Sequence, residues 1–127
     1  VITMKKKVLL ILIILVAILS ACTSNENATI VDVSVDEAKD LLDDEEVVVL
    51  DVRTIEEYSQ GHIPNAQLLP LQELEARLSE LNEDQKYLVV CRSGNRSAQA
   101  STILIQNGFQ NIYNMTGGMN NWPYEVK

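Results

Sequence analysis

The chain has 127 residues, enough for one domain built on one hydrophobic core and not for two. It carries eighteen acidic residues against ten basic ones, a net charge of −8, and three of the ten are the run Lys5-Lys6-Lys7. The remainder is strongly acidic, which argues against nucleic acid or an anionic lipid surface as a partner, since both need a basic footprint.

The basic run is followed by an uninterrupted apolar stretch, Val8 to Leu19, and then by Ser20, Ala21 and Cys22. The stretch is short for a bilayer span, which takes about 20 apolar residues, but it suits the apolar part of a signal peptide. Leu19-Ser20-Ala21-Cys22 resembles the bacterial lipoprotein signal, in which the cysteine is lipidated and becomes the mature N-terminus. That resemblance implies three parts: a signal over residues 1–21, a polar tether over 22–28, and a folded domain over 29–127. It also implies export, with the domain held at the extracytoplasmic face of a bacterial membrane by lipid on Cys22. More than one acyl chain gives stable anchorage where a single chain does not.

From Thr29 onward, short apolar runs alternate with helical patterns, as in βαβ units. Ile30 to Val33 is read as a short strand. Ser34 and Glu37 have capping-box spacing ahead of Ala38, Leu41 and Leu42 at helical period. Val47 to Leu50 is a β-branched run without alternation, the pattern of a strand buried on both faces. Thr54 and Glu57 repeat the capping-box spacing and open a short helix that Gly61 ends. Ala66 to Leu69 is read as a strand, and Leu71, Leu74, Leu78 and Leu81 as the apolar stripe of one helix. Tyr87 to Val90 is a buried strand running directly into Cys91. A helix from about Ser97 to Gln106, a last strand at Ile112-Tyr113 and a C-terminal turn holding Trp122 complete the pattern. The expected fold is a single α/β domain with a mostly parallel sheet of about five strands and helices on both faces. In such sheets ligands bind outside the carboxyl ends of the strands, where Asp51 and Cys91 fall.

If Cys22 is lipidated, Cys91 is the one thiol of the folded domain, and a lone thiol with the single His62 is a poor metal-ligand set. No metal and no organic cofactor are expected. The segment Cys91-Arg92-Ser93-Gly94-Asn95-Arg96-Ser97 joins a strand to a helix through a short loop. Gly94 permits the curl such a loop needs. Backbone N–H groups of the loop and of the first helical turn then converge on one point and form an anion site. A thiol held there ionises more readily. Arg92 and Arg96 are expected to add positive charge, and Ser93, Asn95 and Ser97 to offer further contacts. This combination suits a nucleophilic thiolate acting on a small anionic substrate.

The same loop resembles the active-site loop of the rhodanese-like sulfurtransferases, Cys-Arg-x-Gly-x-Arg/Thr, a pattern associated with thiosulfate. Asp51-Val52-Arg53, Glu57-Tyr58 and Gly61-His62-Ile63-Pro64-Asn65-Ala66 resemble a second family block, with asparagine at position 65 where glycine is common. Gly117-Gly118 and Trp122 resemble its C-terminal signature. The resemblance implies a two-step transfer in which Cys91 takes a sulfane sulfur as a persulfide and passes it to cyanide, a thiol or a protein acceptor. It implies that Arg92, Ser93, Gly94, Asn95, Arg96 and Ser97 bind the donor. Asp51 and Arg53 are expected to support the site by holding loops, and His62 to be a turn residue bonded to backbone.

Two alternatives remain open on the residues alone. One is a non-catalytic sulfur-carrier or binding module of the same fold. The other is a cysteine-dependent phosphatase or arsenate reductase, whose loops place arginine six positions after the cysteine. Here the sixth position is Ser97, and arginine stands at the fifth.

Overall fold

In the computed structural model, which describes residues 3–7 and 28–127, five strands form one sheet: β1 (Thr29–Val33), β2 (Val47–Asp51), β3 (Gln67–Leu68), β4 (Lys86–Val90) and β5 (Asn111–Met115). Their order is β1-β5-β4-β2-β3, and every adjacent pair is parallel. Helices α1 (Val35–Leu41), α2 (Ile55–Ser59), α3 (Leu71–Leu74) and α4 (Asn95–Gln106) connect them. The apolar run, Cys22 and all of the tether but Ala28 lie outside the described residues.

The two faces of the sheet carry separate cores. One gathers Leu50, Leu74, Val89, Ala100, Leu104 and Phe109 beneath α3 and α4. The other gathers Val49, Leu88, Val90, Ala38 and Ile63, with Leu41 and Tyr58 of α1 and α2 packed on it. Neighbouring residues of β4 serve opposite cores, which is why its apolar run does not alternate. Leu88, Val89 and Val90 are fully buried, each such side chain contributing roughly 1.5–3 kcal/mol of transfer free energy.

Helix starts follow the sequence closely. Thr54 and Glu57 form a complete capping box, whereas Ser34 accepts from the Glu37 N–H without the return bond. One element departs from expectation. The leucine stripe does not form one α-helix: α3 ends at Leu74, and residues Glu75–Glu80 continue as a 3-10 segment with Arg77 at φ −120°. Leu74 and Leu81 are nonetheless buried. A 3-10 turn rises faster than an α turn, and this segment still delivers its leucines to the sheet.

The topology places the site. From β2 the chain crosses through α2 to β3 on one side, and from β4 it crosses through α4 to β5 on the other. The order therefore reverses between β2 and β4, and their carboxyl ends flank the crevice where ligands bind in open α/β sheets. Asp51 pairs with Val90 in register, so the last residue of β2 lies beside the residue preceding Cys91.

Candidate active site

Cys91 leaves β4 and the chain turns at once into α4, with Gly94 as the residue before the helix at φ 98°. A side chain at Gly94 would place its Cβ 2.1 Å from the Thr116 carbonyl oxygen, so this position needs glycine both for its backbone angle and for space. The curl brings the Gly94 N–H to 3.1 Å from Cys91 Sγ. The thiol donates to Ser97 Oγ at 3.4 Å, and that hydroxyl donates onward to the Gly94 carbonyl at 3.1 Å. The Gly94 carbonyl also accepts from Ala98 N–H. Ser97 can therefore turn its proton toward a thiolate without orphaning that acceptor.

Cys91 is fully buried. Burial alone pushes its thiol up, but the Ser97 hydroxyl and the N–H groups of Ser97, Gly94 and Ser93 pull it down by more. The net effect is a thiol more acidic than usual, in surroundings where water competes little for those hydrogen bonds.

The loop is braced from the C-terminal side. Met119 N–H donates to the Cys91 carbonyl at 2.8 Å, and Asn120 N–H to the Arg92 carbonyl at 3.0 Å. Those contacts turn the Gly117-Gly118 signature from a sequence resemblance into a mechanical part of the site. Sequence reasoning noted the glycines but not what they touch, because the contact is set by the meeting of two distant loops.

The three arginines of the site differ sharply. Arg53 forks onto Asp51, with Nε and Nη2 within 2.7–3.1 Å of the carboxylate, and Nη2 also donates to the Gly61 carbonyl at 2.8 Å. Asp51 is completely buried and Arg53 only 6% exposed. The pair ties the end of β2 to the loop after α2. Arg96, expected to add positive charge and bind the donor, is held at 2.7 and 2.8 Å by both carboxylate oxygens of Glu57. That pair holds Glu57 at about 2, so its charge is compensated at any ordinary pH. Arg92 is exposed, and its guanidinium has no hydrogen-bond or ion-pair partner among the described residues. Of the two loop arginines, Arg92 alone brings uncompensated charge.

Glu57 is the site residue that sequence reasoning missed. Its place in the family block carries no role in the site, and its capping-box spacing points only to the start of α2, where Oε1 does accept from the Thr54 N–H and hydroxyl. The same carboxylate reaches across to α4. Ser93 and Asn95 are exposed at the rim of the loop, and Ser97 is buried beneath it. His62 stacks on Tyr58 with ring centroids 3.7 Å apart, and its Nδ1 lies 2.9 Å from the Tyr58 carbonyl, so it is engaged in the turn. Asn65 adopts φ 66°, the left-handed conformation that glycine or asparagine fills most readily.

The model of the rhodanese-like domain family matches residues 34–125. The "Putative sulfur carrier protein YrkF" of Bacillus subtilis is 42% identical over 101 residues, covering 78% of this chain and 55% of YrkF, so the chain spans about half of that relative's length. Thiosulfate sulfurtransferase GlpE of Pseudoalteromonas translucida is 34% identical over 90 residues, covering 71% of this chain and 86% of GlpE. The crystal structure of a rhodanese-like domain protein from Staphylococcus aureus superposes with a TM-score of 0.70 at 36% identity, covering 76% of this chain and 96% of that one. The chain belongs to the rhodanese-like family, with sulfurtransferases and sulfur carriers among its named relatives.

Proposed function

We propose that the protein moves a sulfane sulfur from a small anionic donor such as thiosulfate to a thiophilic acceptor, cyanide or a thiol, through a persulfide on Cys91. The observation that carries this reading is the placement of Cys91 Sγ against the Gly94 N–H and the Ser97 hydroxyl at the mouth of α4. Donors fixed in that geometry stabilise negative charge on sulfur before and after transfer. In the first half-reaction the thiolate attacks the outer sulfur of thiosulfate, the S–S bond breaks, and sulfite leaves with the bonding pair. In the second the acceptor attacks the outer sulfur of the persulfide, and the electron pair of that bond returns to Sγ. Arg92 is the cation available to draw the donor in. The charge on Arg96 is already matched by Glu57.

The test is direct. Full-length protein incubated with thiosulfate gains the mass of one sulfur, the gain maps to Cys91, and thiocyanate forms on adding cyanide. Cys91→Ala abolishes both. Thiocyanate production that persists in Cys91→Ala refutes the mechanism.

We propose in addition that lipid on Cys22 holds the domain to the extracytoplasmic face of a bacterial membrane. The order of Lys5-Lys6-Lys7, the apolar run and Leu19-Ser20-Ala21-Cys22 supports this reading. Expressed in a bacterium, the chain then partitions into detergent with a lipid-modified Cys22, and Cys22→Ser loses the modification. An unmodified Cys22 overturns it.

A further inference from the structure

Four charged side chains at or just beyond the carboxyl ends of β2 and β4 form two closed pairs, Arg53 with Asp51 and Arg96 with Glu57. Each pair sums to zero. Arg92 has no such partner among the described residues, so the loop offers an incoming anion one uncompensated positive charge. The chain beyond it is strongly acidic, which weighs further against a second negative charge on a ligand.

Arg96 is nevertheless placed to act at the sulfur. It lies between Gly94 and Ser97, the two residues that hold Cys91 Sγ. Its guanidinium keeps its proton more firmly than usual, chiefly through the hydrogen bonds to Glu57 and less strongly through the negative charges of Cys91 and Asp51. A cation within electrostatic reach of the nucleophile is thus cancelled by one carboxylate. Glu57 need not be charged to start α2. The cap requires an acceptor for the Thr54 N–H and hydroxyl, which a glutamine side chain also supplies. The charge of Glu57 is the part of it that the cap leaves unexplained. Both partners are part-exposed, Glu57 at 23% and Arg96 at 30% of the side-chain surface, so Arg96 released from Glu57 stays solvated and charged.

We infer that Glu57 determines donor specificity: by cancelling Arg96 it leaves Arg92 as the one free cation and biases the site toward singly charged sulfane donors, such as alkyl thiosulfonates, over doubly charged ones such as thiosulfate. The inference rests on the persulfide reading above and names the charge class of the donor for it. Both kinds of donor react alike. The Cys91 thiolate attacks the outer sulfur, an Sγ–S bond forms, and the S–S bond of the donor breaks. Its electron pair leaves on sulfite from the one and on an alkyl sulfinate from the other. No external oxidant or reductant is required.

The test follows sulfur loading of Cys91 in the full chain by mass, with thiosulfate and with methanethiosulfonate. The dependence of the loading rate on donor concentration gives a half-saturating concentration and a limiting rate for each. Expressing every variant relative to wild type cancels the different intrinsic reactivity of the two donors. Glu57→Gln frees Arg96 and lowers the half-saturating concentration of thiosulfate about fivefold more than that of methanethiosulfonate, while the two limiting rates change by one common factor. Fivefold corresponds to about 1 kcal/mol, the scale of a part-exposed charge. Arg96→Gln leaves Glu57 unpaired and moves the donor ratio the other way. Glu57→Gln combined with Arg96→Gln restores one free cation, and the ratio returns to the wild-type value, which the loss of a purely structural contact would not achieve. Raising the ionic strength shrinks the shift seen in Glu57→Gln. A donor ratio that stays at the wild-type value in Glu57→Gln, or that shifts equally in Glu57→Gln and in the double variant, overturns the inference and leaves the persulfide reading intact. Failure of wild-type Cys91 to gain sulfur from either donor overturns both.

Discussion

Gly118 lies against the backbone of Arg92 so closely that a Cβ on it would fall 2.3 Å from the Arg92 carbonyl oxygen and 2.6 Å from the Ser93 nitrogen. At φ 64° its backbone is also one that side-chain-bearing residues adopt at a cost. Both neighbours are main-chain atoms that no rotamer change can clear. The loop around Cys91 thus depends on a residue that is not among the hydrogen-bond partners of the sulfur.

Gly118→Ala is therefore expected to displace residues 91–93 and with them the Met119-to-Cys91 hydrogen bond. Strain of this kind costs about 1–3 kcal/mol, measurable as a lower urea midpoint. The rate of sulfur loading at Cys91 falls by more than the stability loss accounts for, because the N–H groups lose their aim. A variant with normal loading kinetics would show that the brace is dispensable.

Ser97→Ala removes the hydroxyl that helps hold the Cys91 thiol below its ordinary value. The thiol then titrates at higher pH, so the pH dependence of iodoacetamide alkylation and of sulfur loading moves in the alkaline direction. At neutral pH less thiolate is present and the variant reacts more slowly, and the difference closes once the pH is high enough to ionise both thiols. An unchanged alkylation profile would mean that the backbone N–H groups suffice.

Much of this site was legible because its signals are local. The run into Cys91, the capping spacing of Thr54 and Glu57, and the loop count to Arg96 are all patterns within a few residues. What escaped notice depends on distant elements meeting. Nothing near Glu57 in the chain announces Arg96, since their contact exists only once α2 and α4 are placed around the β2–β4 crevice. The sequence accordingly shows Arg96 as a charge added to the anion site and not its partner. The brace at Gly118 was illegible for the same reason. The 3-10 segment after Leu74 was missed on different grounds: a leucine stripe reports which residues face the sheet, not which carbonyl each N–H selects.

The Glu57–Arg96 pair predicts a pH signature. Glu57 titrates at about 2 in the folded protein, against an ordinary value of 4.5, mainly because Arg96 is hydrogen-bonded to it. A depressed carboxylate stabilises the fold above its unfolded value and loses that contribution as pH falls toward the folded one. The stability difference between wild type and Glu57→Gln is therefore fully developed above pH 4.5 and disappears as pH approaches 2. With both partners part-exposed, the contribution is about 1–2 kcal/mol rather than the full value of the shift. Urea unfolding across this pH range checks it, and a difference that does not change with pH would assign the stability to packing.

The Asp51–Arg53 pair predicts an asymmetry between breaking and replacing. Both side chains are buried, Arg53 is anchored by the carboxylate and by the Gly61 carbonyl, and the pair ends β2 at the crevice. Removing one partner leaves a buried charge without compensation, which costs about 3–5 kcal/mol. Asp51→Asn should therefore be severely destabilised, with the Gly61 turn released along with Arg53. Replacing both charges removes the orphaned guanidinium, so Asp51→Asn combined with Arg53→Met recovers a large part of the loss. Urea unfolding of the two single variants and the double variant closes the cycle, and the coupling between the sites should exceed about 1 kcal/mol. Simple additivity would mean that each residue stabilises the fold through packing alone. Sulfur loading supplies a second readout. If the pair supports the crevice by holding the Gly61 turn, the double variant regains stability without regaining full activity, because methionine makes no hydrogen bond to the Gly61 carbonyl.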